Sequence, residues 1–256
     1  GIFAFGDAQF YGSTGSMRLN QPVVGMVAYG DGYLMVASAA VLFALNGTVS
    51  KVVRVLDGLS GGAGGLTDVE VARSDYWTGP GHGVLFTVPG GIGVMDAHGS
   101  WRGWLVEPGT TPFPSTAYLE YAYDNRLYAC DTTSRNDVWR VLPDGTVEFI
   151  SDHPHCEGIA YGDIGDGVKA LYLSSWTAHQ VSRMAPDGSI SPLAGGFPAY
   201  VTDLAIPSPS SQFAPGIYAL QQSSPGIYHI AANGAVRLAF PYAGNLAAGE
   251  EGSFAP

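Results

Sequence analysis

From Cys156 onward, apolar and polar positions alternate in short runs broken by turn residues. Glu157 to Tyr161 is a small, half-apolar strand that leaves through the turn composition of Gly162 to Gly167. Ala170 to Ser174 alternates with the period of two expected of a half-buried strand. Gln180 to Ala185 forms a third strand. Pro186-Asp187-Gly188 supplies a hairpin turn, because glycine accepts the positive φ such turns need. Ser189 to Leu193 is the fourth strand. Four antiparallel strands in about 40 residues make a unit that buries its faces only by stacking on further copies, as the blades of a β-propeller do.

The same turn recurs along the chain at Asn46-Gly47, His98-Gly99, Asp144-Gly145, Asp187-Gly188 and Asn233-Gly234. Each follows a second strand of one type: Tyr33 to Val36, Val84 to Thr87, Leu127 to Cys130, Leu171 to Ser174 and Ile217 to Leu220. That predicts five full blades, with Gly58 to Gly65 and Ser74 to His82 read as loops. The two ends supply a sixth. Read from Phe254-Ala255-Pro256 into Gly1-Ile2-Phe3-Ala4-Phe5, the sequence is FAPGIFAF, against FAPGIYAL at Phe213 to Leu220. The expectation is one all-β domain over 1–256: a six-bladed propeller with four antiparallel strands per blade. Its last blade takes its first strand (Asn245 to Ala248) from the C-terminus and three from the N-terminus, which removes free sheet edges.

Composition narrows the function. Acidic residues outnumber basic ones 22 to 11, and the net charge is −11. Nucleic acid is therefore not an expected partner, since phosphate contacts need a basic face. No apolar run of membrane-spanning length exists. Lysine is confined to Lys51 and Lys169, and a surface of Ser, Thr and Gly reads as that of an exported, extracellular or cell-surface protein. The start, without Met and inside a strand, reads as a processed or trimmed end.

Two resemblances follow. Leu171, Tyr172, His179, Val181, Arg183, Asp187 and Gly188 match the pattern of NHL-type repeats. The strand openers Glu157-Gly158-Ile159-Ala160 and Asp203-Leu204-Ala205-Ile206 are similar to those of the gluconolactonase/senescence-marker family of six-bladed propellers. Gly1 to Met26 resembles a repeat of large exported actinobacterial proteins, which implies export.

An oxygen ligand falls at or next to one slot in five of the six innermost strands: Asp68, Glu120, Glu157, Asp203 and Asn245. Symmetry gathers such carboxylates about one axis, where like charges need a cation or protons between them. Oxygen ligands favour a hard ion such as Ca²⁺. The resemblance implies the same, a single divalent ion with Glu, Asn and Asp ligands. Glu157 and Asp203 sit in the matching openers, and the alignment of inner strands adds Asn245 as the third ligand, with Glu120 or Asp68 as candidate base. The alternative is that these residues satisfy backbone N–H groups at strand starts or line a wet channel.

The loops at the same end carry Trp176, Arg135, His155 and Tyr200, a rim suited to a small polar ligand or carbohydrate. Inter-blade packing is the alternative for its aromatic residues. His153 and His155 share one face of a strand. Six-bladed lyases of the amidated-peptide pathway hold zinc with histidines from separate blades, but only one blade here has a histidine at that place, so zinc is not expected; a structural role is expected of His179. No G-x-S-x-G elbow or phosphate loop occurs. Cys130 and Cys156 fall near one face, where a disulfide or two buried thiols are both open.

Two functions remain. One is an exported recognition or scaffold module that takes a small polar ligand, a carbohydrate or a protein surface. The other is a metal-dependent hydrolase of a lactone or similar ester, in which the ion polarises the carbonyl and activates water.

Overall fold

The computed structural model describes residues 23–241 apart from 30–31, 38–40, 47, 55–65, 78–82, 97–99, 111, 114–116, 132–136 and 222–225. The described residues form five four-stranded antiparallel sheets, each a meander of consecutive strands. The first holds β1 (Val23–Tyr29), β2 (Gly32–Ala37), β3 (Val41–Asn46) and β4 (Thr48–Arg54). The second holds β5 (Val69–Ala72), β6 (Gly83–Val88), β7 (Gly91–Met95) and β8 (Trp101–Val106). The third is β9 (Ala117–Ala122), β10 (Arg126–Asp131), β11 (Asp137–Val141) and β12 (Val147–Asp152). The fourth is β13 (Ile159–Asp163), β14 (Lys169–Ser175), β15 (Gln180–Met184) and β16 (Ile190–Gly195). The fifth is β17 (Val201–Ala205), β18 (Ile217–Gln221), β19 (Gly226–Ile230) and β20 (Val236–Pro241).

The first strands β1, β5, β9, β13 and β17 touch one another in sequence order, which makes them the inner edge of successive blades. Both the strands expected of a sixth blade and the proposed closure lie outside the described residues. Among the described residues no helix is long and apolar enough to cross a membrane.

The core lies between blades. One layer joins Leu85, Ile92 and Val106 of the second blade to Leu119, Leu127, Trp139 and Val141 of the third. The next joins Tyr128 and Val138 to Ile159, Leu171, Leu173 and Met184. A further layer joins Tyr172 and Val181 to Val201, Leu204, Ile217 and Ile230.

Turn chemistry repeats to the atom. Asp144, Asp187 and Asn233 each accept, through the side-chain oxygen, the N–H two residues on, at 2.9, 2.9 and 3.0 Å. The following Gly145, Gly188 and Gly234 adopt φ of 84°, 85° and 80°, the region glycine enters without steric cost. Each of these glycines also meets a particular residue of the preceding blade. A β-carbon at Gly145 would lie 2.0 Å from the Leu105 carbonyl oxygen, and one at Gly234 would lie 2.3 Å from that of Leu193. Leu105 and Leu193 are the extra residues at bulges in the outermost strand pairs of their blades, so each hairpin seats on its neighbour's bulge.

The segment from Ser74 to His82, expected as loop only, begins with a 3-10 turn at Ser74–Tyr76. Its Tyr76 hydroxyl accepts the Leu127 N–H at 2.9 Å and donates to the Val141 carbonyl at 2.7 Å. Tyr123 repeats this one blade later, accepting from Leu171 N–H at 3.1 Å and donating to the Met184 carbonyl. These tyrosines cap strand ends that lie one blade away.

Candidate functional site

Inner strands begin, and second strands end, at one end of the blades, so the candidate residues depend on the register between them. Val69 lies opposite Phe86, and Asp68 accepts the Thr87 N–H through its carbonyl. Tyr118 lies opposite Cys130, and Asp203 opposite Leu220. The Gly158 carbonyl takes the Ser174 N–H at 2.8 Å. Asp68, Tyr118, Gly158 and Asp203 are therefore equivalent. Glu120 stands two residues further in, about 7 Å along the strand, level with Glu70. Glu157 stands one residue further out.

The carboxylates that the sequence places at one slot thus occupy three heights. Among the described residues no three His, Cys, Asp or Glu side chains converge as a metal site requires. Asn245 lies outside the described residues.

Asp68 is a stitch between blades. One carboxylate oxygen accepts the Val69 N–H at 2.7 Å and the other the Leu119 N–H of the next inner strand at 2.5 Å. Asp203 accepts the Leu204 N–H at 2.7 Å.

Glu70 and Glu120 form a different kind of pair. Burial, and then the charge of Asp68, push Glu70 up to about 8, against the Val71 N–H and Arg73. Burial, and then the charge of Glu70, hold Glu120 well above the usual carboxylate range, against the Tyr161 N–H and Arg73. Glu70 was not among the sequence candidates, although its signal was present. Val69-Glu70-Val71-Ala72 and Leu119-Glu120-Tyr121-Ala122 share one apolar–Glu–apolar–Ala pattern.

The rim residues do meet. The Trp176 and Tyr200 rings lie 4.3 Å apart, centroid to centroid, at 31°. His155 stands 6.0 Å from Trp176, and His179 4.9 Å from Tyr200. Backbone bonds brace the group: the Trp176 N–H donates to the His155 carbonyl at 2.9 Å, and the Ser175 hydroxyl to the Pro154 carbonyl at 2.8 Å. His179 Nδ1 lies 3.2 Å from the Phe197 carbonyl oxygen. Both His155 (φ 43°) and His179 (φ 50°) adopt the left-handed conformation, a strain that non-glycine residues carry most often at ligand sites and switches. Arg135, the fourth rim candidate, lies outside the described residues.

Glu157 follows His155 on the same crossover. It is half-buried, and burial pushes its carboxyl up to about 7 while the His155 imidazole opposes the rise. Between His155 and Glu157, Cys156 forms a disulfide with Cys130.

His153 sits five residues before Gly158, as Phe113 sits before Tyr118, and with the one-residue bulge before Asp203 counted, Phe197 takes the same place. All three side chains are buried, and among the described residues neither ring nitrogen of His153 has a hydrogen-bond partner. Burial alone pushes its imidazole down to about 4.

The fold is similar to that of virginiamycin B lyase from Staphylococcus aureus, with a TM-score of 0.64 at 14% identity over 86% of this chain and 70% of that one. It is similar to a gluconolactonase-family protein, with a TM-score of 0.62 at 12% identity over 87% of this chain and 79% of the other. The WD40 β-propeller domain of Doa1 matches with a TM-score of 0.56 at 11% identity, over 78% of this chain and 60% of that one. At these identities the likeness shows the fold, a β-propeller. No protein-family model matches the chain, and no curated protein matches it.

Proposed function

We propose that the chain is an exported recognition propeller that binds a small polar ligand, carbohydrate included, on the rim of His155, Trp176 and Tyr200. The observation that carries this reading is the meeting of three aromatic side chains from two crossovers and one strand-to-strand loop. Their centroids are 4.3 and 6.0 Å apart, at one end of the blades. Half-buried rings at a loop end offer stacking faces to a ligand. The disulfide supports export, since such bonds persist in oxidising compartments. Closure as six blades rests on the match of the chain's two ends to Phe213 to Leu220.

Tryptophan fluorescence titrated with mono- and disaccharides tests the reading. Saturable quenching in the wild type and its loss in Trp176→Ala support it; saturable quenching that persists unchanged in Trp176→Ala rejects it.

A second reading is favoured by the likeness in fold to a gluconolactonase-family protein. In it the chain is a metal-dependent lactone or ester hydrolase, with Ca²⁺ or another divalent ion held by Glu157, Asp203 and Asn245. Its test is lactone turnover with and without chelator. Asp203→Ala should abolish that turnover, and unchanged turnover would exclude this ligand set.

A further inference from the structure

We infer that the rim selects small organic cations, a protonated or quaternary amine being the group it recognises. This rests on the reading of the rim as a ligand site and names the class of its ligand. Three features of the site point the same way.

The first is the aromatic surface. The faces of Trp176 and Tyr200 carry negative electrostatic potential, and Trp is the strongest of the ring partners for a cation. The second is the carboxylate. Glu157 enters the same end of the blades two residues after His155. Among the described residues it forms no ion pair with Lys or Arg and accepts no hydrogen bond. A half-buried carboxylate with no Lys or Arg partner and only the His155 imidazole acting on it is a costly arrangement that a cationic ligand relieves. The third is a buried acceptor tied to the residue before Tyr200. Gln221 donates its amide to the Ala199 carbonyl at 3.2 Å, and among the described residues its fully buried Oε1 has no partner. A carboxylate and the negative end of an amide dipole both favour positive charge, whether or not the cation carries N–H donors. A net charge of −11 favours the approach of cations to the protein as a whole.

The test compares choline with 3,3-dimethylbutan-1-ol, which keeps the shape and hydroxyl but lacks the charge. Both are titrated by tryptophan fluorescence, with chelator present so that no divalent ion competes for the carboxylate. The wild type should bind choline at least ten-fold more tightly, and added salt should weaken choline alone. Glu157→Gln, which keeps the side-chain size, should bring the two ligands to equal affinity. Trp176→Ala should weaken both. Equal binding of the two by the wild type, or a choline preference that survives Glu157→Gln, overturns the inference. If saccharides quench Trp176 but choline is not preferred, the inference fails and the rim reading stands. If neither choline nor any saccharide binds, both fail.

Discussion

Cys130, near the end of one blade's second strand, is bonded to Cys156 in the crossover that opens the next blade, with Cα atoms 5.5 Å apart. The Cys156 N–H also donates to the Asp131 carbonyl at 3.1 Å. The bond therefore ties together two blades and fixes the segment that carries His155 and Glu157. It closes a loop with a sequence separation of 26 residues, for which chain entropy alone is worth roughly 3 kcal/mol. Cys130→Ser/Cys156→Ser, or reduction of the wild type, should lower the thermal midpoint by several degrees. Scanning calorimetry with and without reductant measures this; identical midpoints would show that the bond contributes no stability.

Tyr76 and Tyr123 make equivalent bridges into the following blade. Removing either hydroxyl leaves one buried N–H and one buried carbonyl unpaired. Tyr76→Phe and Tyr123→Phe should each cost about 2 kcal/mol. The costs should add in the double variant, because the bridges lie in different blade pairs. Urea unfolding gives all three values, and losses below a few tenths of a kcal/mol would refute the bridging role.

His153 replaces a phenylalanine in the crossover slot. Its imidazole is pushed from the usual 6.5 down to about 4 by burial, so the neutral form is favoured in the folded state. Its contribution is present above pH 6.5 and is lost as pH falls towards 4, roughly 3 kcal/mol in all. His153→Phe should retain stability at pH 4.5 that the wild type loses, with a smaller difference at pH 7. Denaturant midpoints at the two pH values decide; parallel losses in both proteins would place the acid sensitivity elsewhere.

Glu70 has the opposite sign. Its carboxyl is raised from 4.5 to about 8, so its contribution is complete below pH 4.5 and is lost as pH rises through 8. Glu70→Gln should match the wild type near pH 4 and exceed its thermal midpoint at pH 8 to 9. Melting curves across that range check it. A variant less stable than the wild type at high pH would mean that a bound cation neutralises the pair.

Much of the fold is legible in the residues alone. Alternation of apolar and polar positions is a property of single strands, and an Asx side chain followed by glycine acts within one turn. Four-stranded blades whose last two strands are joined at Asp144-Gly145, Asp187-Gly188 and Asn233-Gly234 therefore follow from sequence without tertiary knowledge. The rim was half legible: Trp176, Tyr200 and His155 could be assigned to one end, because that end follows from strand direction. Their approach to 4.3 and 6.0 Å depends on how neighbouring blades pack.

The carboxylates show the limit. Asp68, Glu120, Glu157 and Asp203 look alike in sequence, but a one- or two-residue shift in pairing changes a side chain's face or its height along the strand. That pairing is set by hydrogen bonds between strands, Thr87 to Asp68 and Ser174 to Gly158 among them. Composition and local pattern thus determined the strands, the turns and the end of the blades that carries the site. Tertiary structure alone decided that Glu70 rather than Asp68 stands level with Glu120, and that Cys130 bonds to Cys156, because both depend on contacts between segments distant in the chain.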